Sequence, residues 1–562
     1  MIEQHICEEN DIKEGEMKQF ELGQGKVLIT KTNGSISAVS AKCTHYGAPL
    51  VTGAYKDGKV RCPWHGACFN TVTGDIEDFP GLDSLHKYEV NIRNGKVFVR
   101  ANEETFSDFR RVKPMQTCCS NDEIYLIIGG GCAAILCAET LRQEGFKGQV
   151  IMATQECHVP YDRTKLSKML NAEAEKLYLR KEAFLKEKDI EIQFNKKACS
   201  VDSTKSTVSF SDGSVQQYTK LFVATGGQPR VLSIPGHDLQ NIFYLRSPED
   251  ANKIHESSQG KDVVILGTGF IGMEIAAYLT GKAKSVTVVG SGQTKVPFGK
   301  LLGEEVGSRF MKMHMDKGVK FHLDQPVKEI KGTGGKVAGV VLHDDQVLPA
   351  DVVLSGIGVV PSTGFMKDTN VQMNKYGHII VDKFMKAGEG IYAGGDIVSY
   401  PYCHDNDCMI NIGHWQLASA HGRVAAMNML GKKTPCVTVP FFWTGQFGKS
   451  LRYAGHCSSF DEIVYEGDVE DMKFAAYYLR EGKVHAIACM NMGAKASEVA
   501  FELQNGCFPC PEHLRVVSSS KHLSSHKVGE HNFFRYGVGI ALFSVACVII
   551  ARKFNVFSTR NL

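Results

Sequence analysis

Two strand–turn–helix units that pivot on glycine constrain this chain more than any other feature of its sequence. The apolar run IYLII, residues 124–128, ends on Gly129-x-Gly131-x-x-Ala134 and passes into the helical pattern ILCAETLRQE. A second run, DVVIL at 262–266, leads through Gly267-x-Gly269-x-x-Gly272 into MEIAAYLTG. The first glycine permits a tight turn, the second lets the backbone approach a pyrophosphate, and the third small residue lets the helix pack on its strand. The helix N-terminus then faces the phosphates. One such motif is weak evidence. Two of them, each between a strand and a helix and 138 residues apart, predict two α/β units that each hold a dinucleotide.

The length of 562 residues leaves room for three or four domains at about 150 residues each. Hydrophobic residues at 43% and charged residues at 22% are the mixture of folded globular domains. A net charge of +3, from 64 Lys+Arg against 61 Asp+Glu, excludes a general cationic field of the kind that holds nucleic acid as main partner. The 18 Cys are too sparse for a secreted disulfide scaffold. The start MIEQHICEENDIKEGE has neither the apolar core of a signal peptide nor an Arg-rich presequence pattern. Synthesis in the cytosol, no cleaved presequence, and cysteines that are reduced or metal-bound are therefore expected.

Ahead of the first glycine unit, residues 1–103 alternate apolar and polar residues in short runs broken by Asn-Gly, Asp-Gly and Thr-Gly, the pattern of a small antiparallel all-β domain. Within it lie Cys43-x-His45 and, after sixteen intervening residues, Cys62-x-x-His65. Each half supplies one thiolate and one imidazole, which suits a [2Fe-2S] cluster whose second iron takes two His in place of two Cys. Zinc is the rival, although zinc sites usually pair their cysteines and their histidines by motif. Gly47, Gly66 and Gly74 suit loops that wrap closely round a cluster. The second half, Cys62 through Phe69 and then Thr73-Gly74, resembles Rieske ferredoxins. Respiratory Rieske proteins have an additional loop disulfide where this chain has Ala48 and Ala67, so the resemblance implies the lower-potential, ferredoxin-like class.

The stretch ECHVPYDRTKLSK, 156–168, resembles ferredoxin reductases and the reductases of dioxygenase systems. That resemblance implies FAD in the first unit and NAD(P)H in the second, with Ala224-Thr225-Gly226 and Ala393-Gly394-Gly395-Asp396 completing the flavin site. By the same resemblance Glu156 binds the FAD ribose, Arg163 the phosphate or adenosine region, and Asp396 the ribityl chain. Lys168 lies beside the flavin ring as the catalytic cation, and Glu274 approaches the nicotinamide. Trp415 and Trp443 are placed along the flavin's pyrimidine side and at the C-terminal domain, and core packing explains each equally well. Gly290-Ser291-Gly292 follows VTVV where an acid would hold a ribose 2′-OH, and Lys295 is nearby, so the choice between NADH and NADPH stays open.

Other constellations fail. Cys132 and Cys137 have the spacing of a disulfide-reductase pair but lie in the first flavin helix, and Cys507-x-x-Cys510 and Cys118-Cys119 have no flavin motif around them. A mononuclear iron site of two His and one carboxylate is also missing, since Asp83-x-x-His86 has no second His close behind.

As a whole, residues 1–513 resemble the Rieske-containing apoptosis-inducing-factor-like proteins, and also a dioxygenase ferredoxin fused to its reductase. The implied fold is multidomain. An all-β Rieske domain at 1–103 and a linker at 104–123 lead to glutathione-reductase-like α/β domains for FAD (124–255 and 379–432) and NAD(P) (256–378). An α+β interface domain at 433–513 and a linker at 514–534 follow. The run 536–551 is apolar and flanked by Arg535 and Arg552-Lys553. It predicts a transmembrane tail anchor over 535–552, and so a membrane as a partner, with the body on the cytosolic face of the mitochondrial outer membrane or the endoplasmic reticulum. The implied activity passes electrons from NAD(P)H through FAD to the cluster and on to an acceptor, with a possible pro-apoptotic role. The alternative is a redox-gated interaction protein in cell death whose reductase activity is secondary.

Overall fold

Turn chemistry sets the first domain. The computed structural model describes residues 1–119, 122–507 and 525–527. Asn33-Gly34, Asp57-Gly58 and Asn94-Gly95 each place two successive residues at positive φ, between +49° and +75°. That is the two-residue turn whose twist matches a hairpin. These turns close hairpins in two antiparallel sheets. One has six strands in the order Ile2–Glu8, Lys96–Ala101, Lys87–Arg93, Ser35–Ser40, Gly25–Thr32, Met17–Leu22. The other is a four-stranded meander from Ala54–Lys56 to Ile76–Asp78.

The next two modules repeat one plan. In the first, parallel strands Ile190–Gln193, Gln149–Ala153, Ile124–Ile128, Lys220–Val223 and Ile391–Ala393 lie side by side. In the second, Ile242–Phe243, Val352–Ser355, Asp262–Leu266, Ser285–Val289 and Lys320–His322 are parallel throughout. The glycine turns sit at the carboxyl ends of the central strands, and the helices Cys132–Gln143 and Phe270–Leu279 leave from them. Such strands are covered on both faces, which explains continuous apolar runs such as IYLII in place of alternation.

The helix Cys132–Gln143 is buried from Cys132 through Arg142, between its sheet and the helix Trp415–Met429. Gly422 makes that packing possible, because a Cβ there would lie 2.1 Å from the Ala133 carbonyl oxygen. The last domain is α+β. Strands Phe441–Gln446, Lys449–Gly455, Lys483–Met490, Lys473–Arg480 and Glu462–Asp468 form an antiparallel sheet, and the helix Lys495–Gln504 packs on it.

One expectation changes. Within the linker, Arg111 pairs with Ser84 in a β-bridge, and Arg110 bonds back to the first Cys-His loop. The membrane-spanning helix is dropped from the fold class. The longest described helix, Trp415–Met429, has 15 residues. Among the described residues none is long and apolar enough to cross a membrane, for which about 20 apolar residues are needed. The run 535–552 itself lies outside the described residues.

Candidate functional site: a cluster mount against a dinucleotide cavity

The two Cys-His loops are built alike. The Cys43 amide donates to the Ala48 carbonyl and the Cys62 amide to the Ala67 carbonyl, both at 2.8 Å. Gly47 and Gly66 then donate back to the carbonyls of Cys43 and Cys62, with φ of +77° and +76° that favour glycine. The loops thus present two buried free thiols and two imidazoles whose Nδ1 atoms are 3.1 Å apart. The hydrogen bond with the neighbouring Cys62, and then burial, hold the Cys43 thiol well above its usual range. Burial pulls the His45 imidazolium down to about 4 and that of His65 well below the ordinary histidine value. Neutral imidazoles and paired thiols, one of each per loop, fit a cluster that takes two sulfur and two nitrogen donors.

A cavity of about 1210 Å³ runs between the two glycine motifs. Gly129 is forced, because at φ +138° a Cβ would meet the Ala224 carbonyl oxygen at 2.2 Å. Gly131 and Gly269 face open space at the starts of their helices, and both line the cavity. Glu156 accepts from Arg163 at 2.6 Å through Oε1, while its Oε2 is buried without a partner at the cavity wall. An orphaned buried acceptor is costly unless a ligand hydroxyl supplies a donor, which fits a ribose. Asp396 is half-buried and its carboxyl is raised by desolvation, against which Arg246 and Arg163 act. Arg246 Nε and His414 Nδ1 are further unpaired buried atoms on this wall. Two guanidiniums, the N-terminus of the helix Cys132–Gln143 and an unpaired carboxylate oxygen fit an FAD, and the N-terminus of the helix Phe270–Leu279 is left for the second dinucleotide.

Glu274 joins three modules. Its Oε2 accepts from Lys168 Nζ at 2.8 Å and from the Ser167 hydroxyl, and its Oε1 accepts from Thr444 Oγ1 at 2.7 Å. At the nucleotide end, a Cβ on Gly290 would lie 2.9 Å from the Leu323 backbone, so this position leaves no room for an acid.

Of the residues expected at the nucleotide sites, Gly129, Gly131, Glu156, Arg163, Lys168, Thr225, Gly226, Gly269, Gly272, Glu274, Asp396, Trp415 and Trp443 all line the cavity. Ala134 and Gly267 do not: Ala134 is fully buried in the helix behind it, and Gly267 backs onto the Gly356 carbonyl. Arg246, His414, Ser167 and Thr444 were not singled out in the sequence: Ser167 lies inside the stretch 156–168 but a serine there has many uses, and the other three carry no spacing that marks them. The run FYLRSPED ahead of the helix Pro248–Ser258 is the only hint of Arg246.

Trp443 connects the two centres. It lines the cavity, and its ring lies 4.3 Å from that of His65 and 5.9 Å from that of His45, centroid to centroid. The Rieske domain is fixed in this position. Ser497 on the last long helix donates to the Cys62 carbonyl at 3.0 Å. Fully buried Arg61 reaches Gly66 O, Asp78 and Gln504. Arg180 bridges Asp83 of the Rieske domain and Glu139 of the flavin helix.

Comparison with known proteins agrees with this architecture. The pyridine nucleotide-disulphide oxidoreductase family matches residues 124–422, the Rieske [2Fe-2S] domain residues 3–89, and the reductase C-terminal family residues 441–515. The chain is 46% identical to human apoptosis-inducing factor 3 over 512 residues, 90% of this chain and 84% of that one. It is 31% identical to rhodocoxin reductase of Rhodococcus erythropolis, over 63% of this chain and 82% of the relative. The crystal structure of a ferredoxin reductase from Rhodopseudomonas palustris aligns with a TM-score of 0.67 at 28% identity, covering 70% of this chain and 97% of the other.

Proposed function

We infer, for a chain that belongs to the pyridine nucleotide-disulphide oxidoreductase family and carries a Rieske domain, that electrons run from NAD(P)H through FAD to the cluster and then to an acceptor. That it is an NAD(P)H-dependent oxidoreductase with FAD and a Rieske [2Fe-2S] centre follows from the family itself. The internal route rests on one observation, the Trp443 ring standing between the dinucleotide cavity and His65.

When bound, FAD takes up a hydride's two electrons and releases them singly, and the cluster carries one at a time. The protein's own groups bind and orient. Glu156 offers its unpaired Oε2 to a ribose, Arg163, Arg246 and the N-terminus of the helix Cys132–Gln143 balance the flavin's pyrophosphate, and the N-terminus of the helix Phe270–Leu279 serves that of the nicotinamide coenzyme. Cys43, His45, Cys62 and His65 hold the cluster. Lys168, fixed at 2.8 Å by Glu274, presents a cation where negative charge grows on a reduced ring. Trp443 fills the gap between cavity and imidazole and keeps water out of it. No nucleophile or general base is needed.

Anaerobic mixing with NADH should bleach the flavin first and the cluster second. Trp443→Leu should keep the first phase and slow the second about tenfold. A cluster that never reduces in the unaltered protein refutes the route, and an unchanged second phase refutes the part given to Trp443. The name of the 46%-identical human relative supports a second reading, a role in cell death. Expression of the unaltered chain and of Cys43→Ser in cultured cells, scored for viability, tests whether such a role needs the cluster.

A further inference from the structure

Two more aromatic side chains flank the cluster mount, and the internal route uses neither. Tyr46 follows the ligand His45, stacks on it with centroids 3.8 Å apart, and is 37% exposed. Trp64 lies between the ligands Cys62 and His65 and is 38% exposed. Exposed large aromatics beside metal ligands leave apolar surface that water covers poorly, and such residues are enriched at contact sites.

The charges round this surface have one prevailing sign. Lys165 Nζ lies 4.9 Å from the centre of the Tyr46 ring. Arg110 donates to the carbonyls of Thr44 and His45 at 2.8 and 3.0 Å. Arg452 donates to the Trp64 carbonyl at 3.4 Å. Among the described residues neither arginine is paired with a carboxylate. Among the described residues the acid in contact with this group is Asp162, which is buried, accepts from Tyr46 and from Thr164, and lies 3.9 Å from Lys165. Three cations against one engaged carboxylate attract a partner that is acidic round its own redox centre.

Resting on the route inferred above, we propose that the reduced cluster hands its electron to an acidic one-electron carrier protein that docks over Tyr46 and Trp64 against Arg110, Lys165 and Arg452. One electron passes from the cluster to the carrier's metal centre. The cluster is oxidised and the carrier reduced by one unit, with no bond or proton changing place. With entry through Trp443 and exit past Tyr46 and Trp64, different side chains serve the two transfers, so the Rieske domain need not leave its dock to turn over.

The test uses the full, cofactor-loaded chain with no NADH present. Dithionite reduces its cluster and flavin together; the protein is desalted anaerobically and mixed in a stopped flow with oxidised cytochrome b5, an acidic carrier, or with cytochrome c, a basic one. The first phase of carrier reduction, ahead of electrons resupplied by the flavin, is read. Cytochrome b5 should reoxidise the cluster faster at low salt and lose that advantage as salt rises, while cytochrome c should show the opposite trend. Lys165→Glu should slow the cytochrome b5 reaction about tenfold at low salt, and Lys165→Gln should fall between. If Lys165→Glu does not load its cluster, the Lys165→Gln rates and the salt series of the unaltered protein decide. Equal rates for both carriers, no salt dependence, or unaltered rates in the Lys165 variants would overturn the proposal. Because NADH takes no part, failure of the NADH-to-cluster route would appear separately, as absent bleaching in the earlier experiment.

Discussion

Replacing Arg180 by Met should loosen the Rieske domain from the flavin domain at a cost the structure lets us work out. Its guanidinium bonds Asp83 with both Nη atoms, at 2.6 and 3.2 Å, and Glu139 through Nε and Nη2, at 2.8 and 3.2 Å. The three side chains are 11%, 8% and 1% exposed, so none recovers much water when the pair is broken. Removing one partner of a buried ion pair typically costs about 3–5 kcal/mol, because an uncompensated charge stays behind. Met keeps an apolar stem where the guanidinium lies 4.7 Å from the Phe184 ring centre, so lost packing adds little. At about 2–4 °C per kcal/mol, the Tm followed by flavin fluorescence should fall roughly 6–20 °C. Burial already raises the Glu139 carboxyl, and Arg180 is the main influence against it. Without Arg180 that pKa rises further above its unfolded value. The folded state then binds the extra proton, and stability is lost as pH rises through the folded pKa. The deficit should therefore be smaller at pH 5 than at pH 8, and Glu139→Gln added to Arg180→Met should recover part of it at pH 8. A Tm within 2 °C of the unaltered protein at pH 8, or a deficit that grows on acidification, would refute this reasoning.

The other expectations concern packing, coenzyme and the Glu274 hub. Gly422→Ala should destabilise the flavin domain by about 1–3 kcal/mol, since the added methyl meets the Ala133 carbonyl at 2.1 Å; an unchanged Tm shows that the helices can part freely. Ser291→Asp puts a carboxylate just past the strand Ser285–Val289, where an acid meets a ribose 2′-OH. The KM for NADPH should rise about tenfold more than that for NADH, and parallel changes argue that the coenzyme lies elsewhere. Glu274→Gln keeps the shape but removes the charge facing Lys168, and flavin reduction by NADH should slow about tenfold or more in single-turnover traces. A rate within twofold of the unaltered protein would mean that the pair is structural alone.

What could be read from the sequence and what could not divide along a physical line. The glycine turns and the Cys-x-His and Cys-x-x-His loops are legible because their chemistry is local: a backbone that must approach a phosphate, or a loop that must offer one thiol and one imidazole, requires fixed spacing within a few residues. Glu156 and Asp396 were within reach only through resemblance, since a carboxylate at a strand end has many other uses. Docking leaves no such trace. The Ser497 hydroxyl reaches the Cys62 carbonyl across 435 residues of chain, and Trp443 meets His65 from a strand of the last domain. Either side chain, read alone, is an ordinary helix serine or a core aromatic. The same line explains why the exit side of the cluster was missed. Tyr46 and Trp64 sit inside the most legible motif of the chain, yet what sets them apart is exposure among cations from residues 110, 165 and 452, a property of the assembled fold. The ligands of a redox centre can thus be read from one segment, but the direction in which its electron leaves depends on which side the other domains leave open.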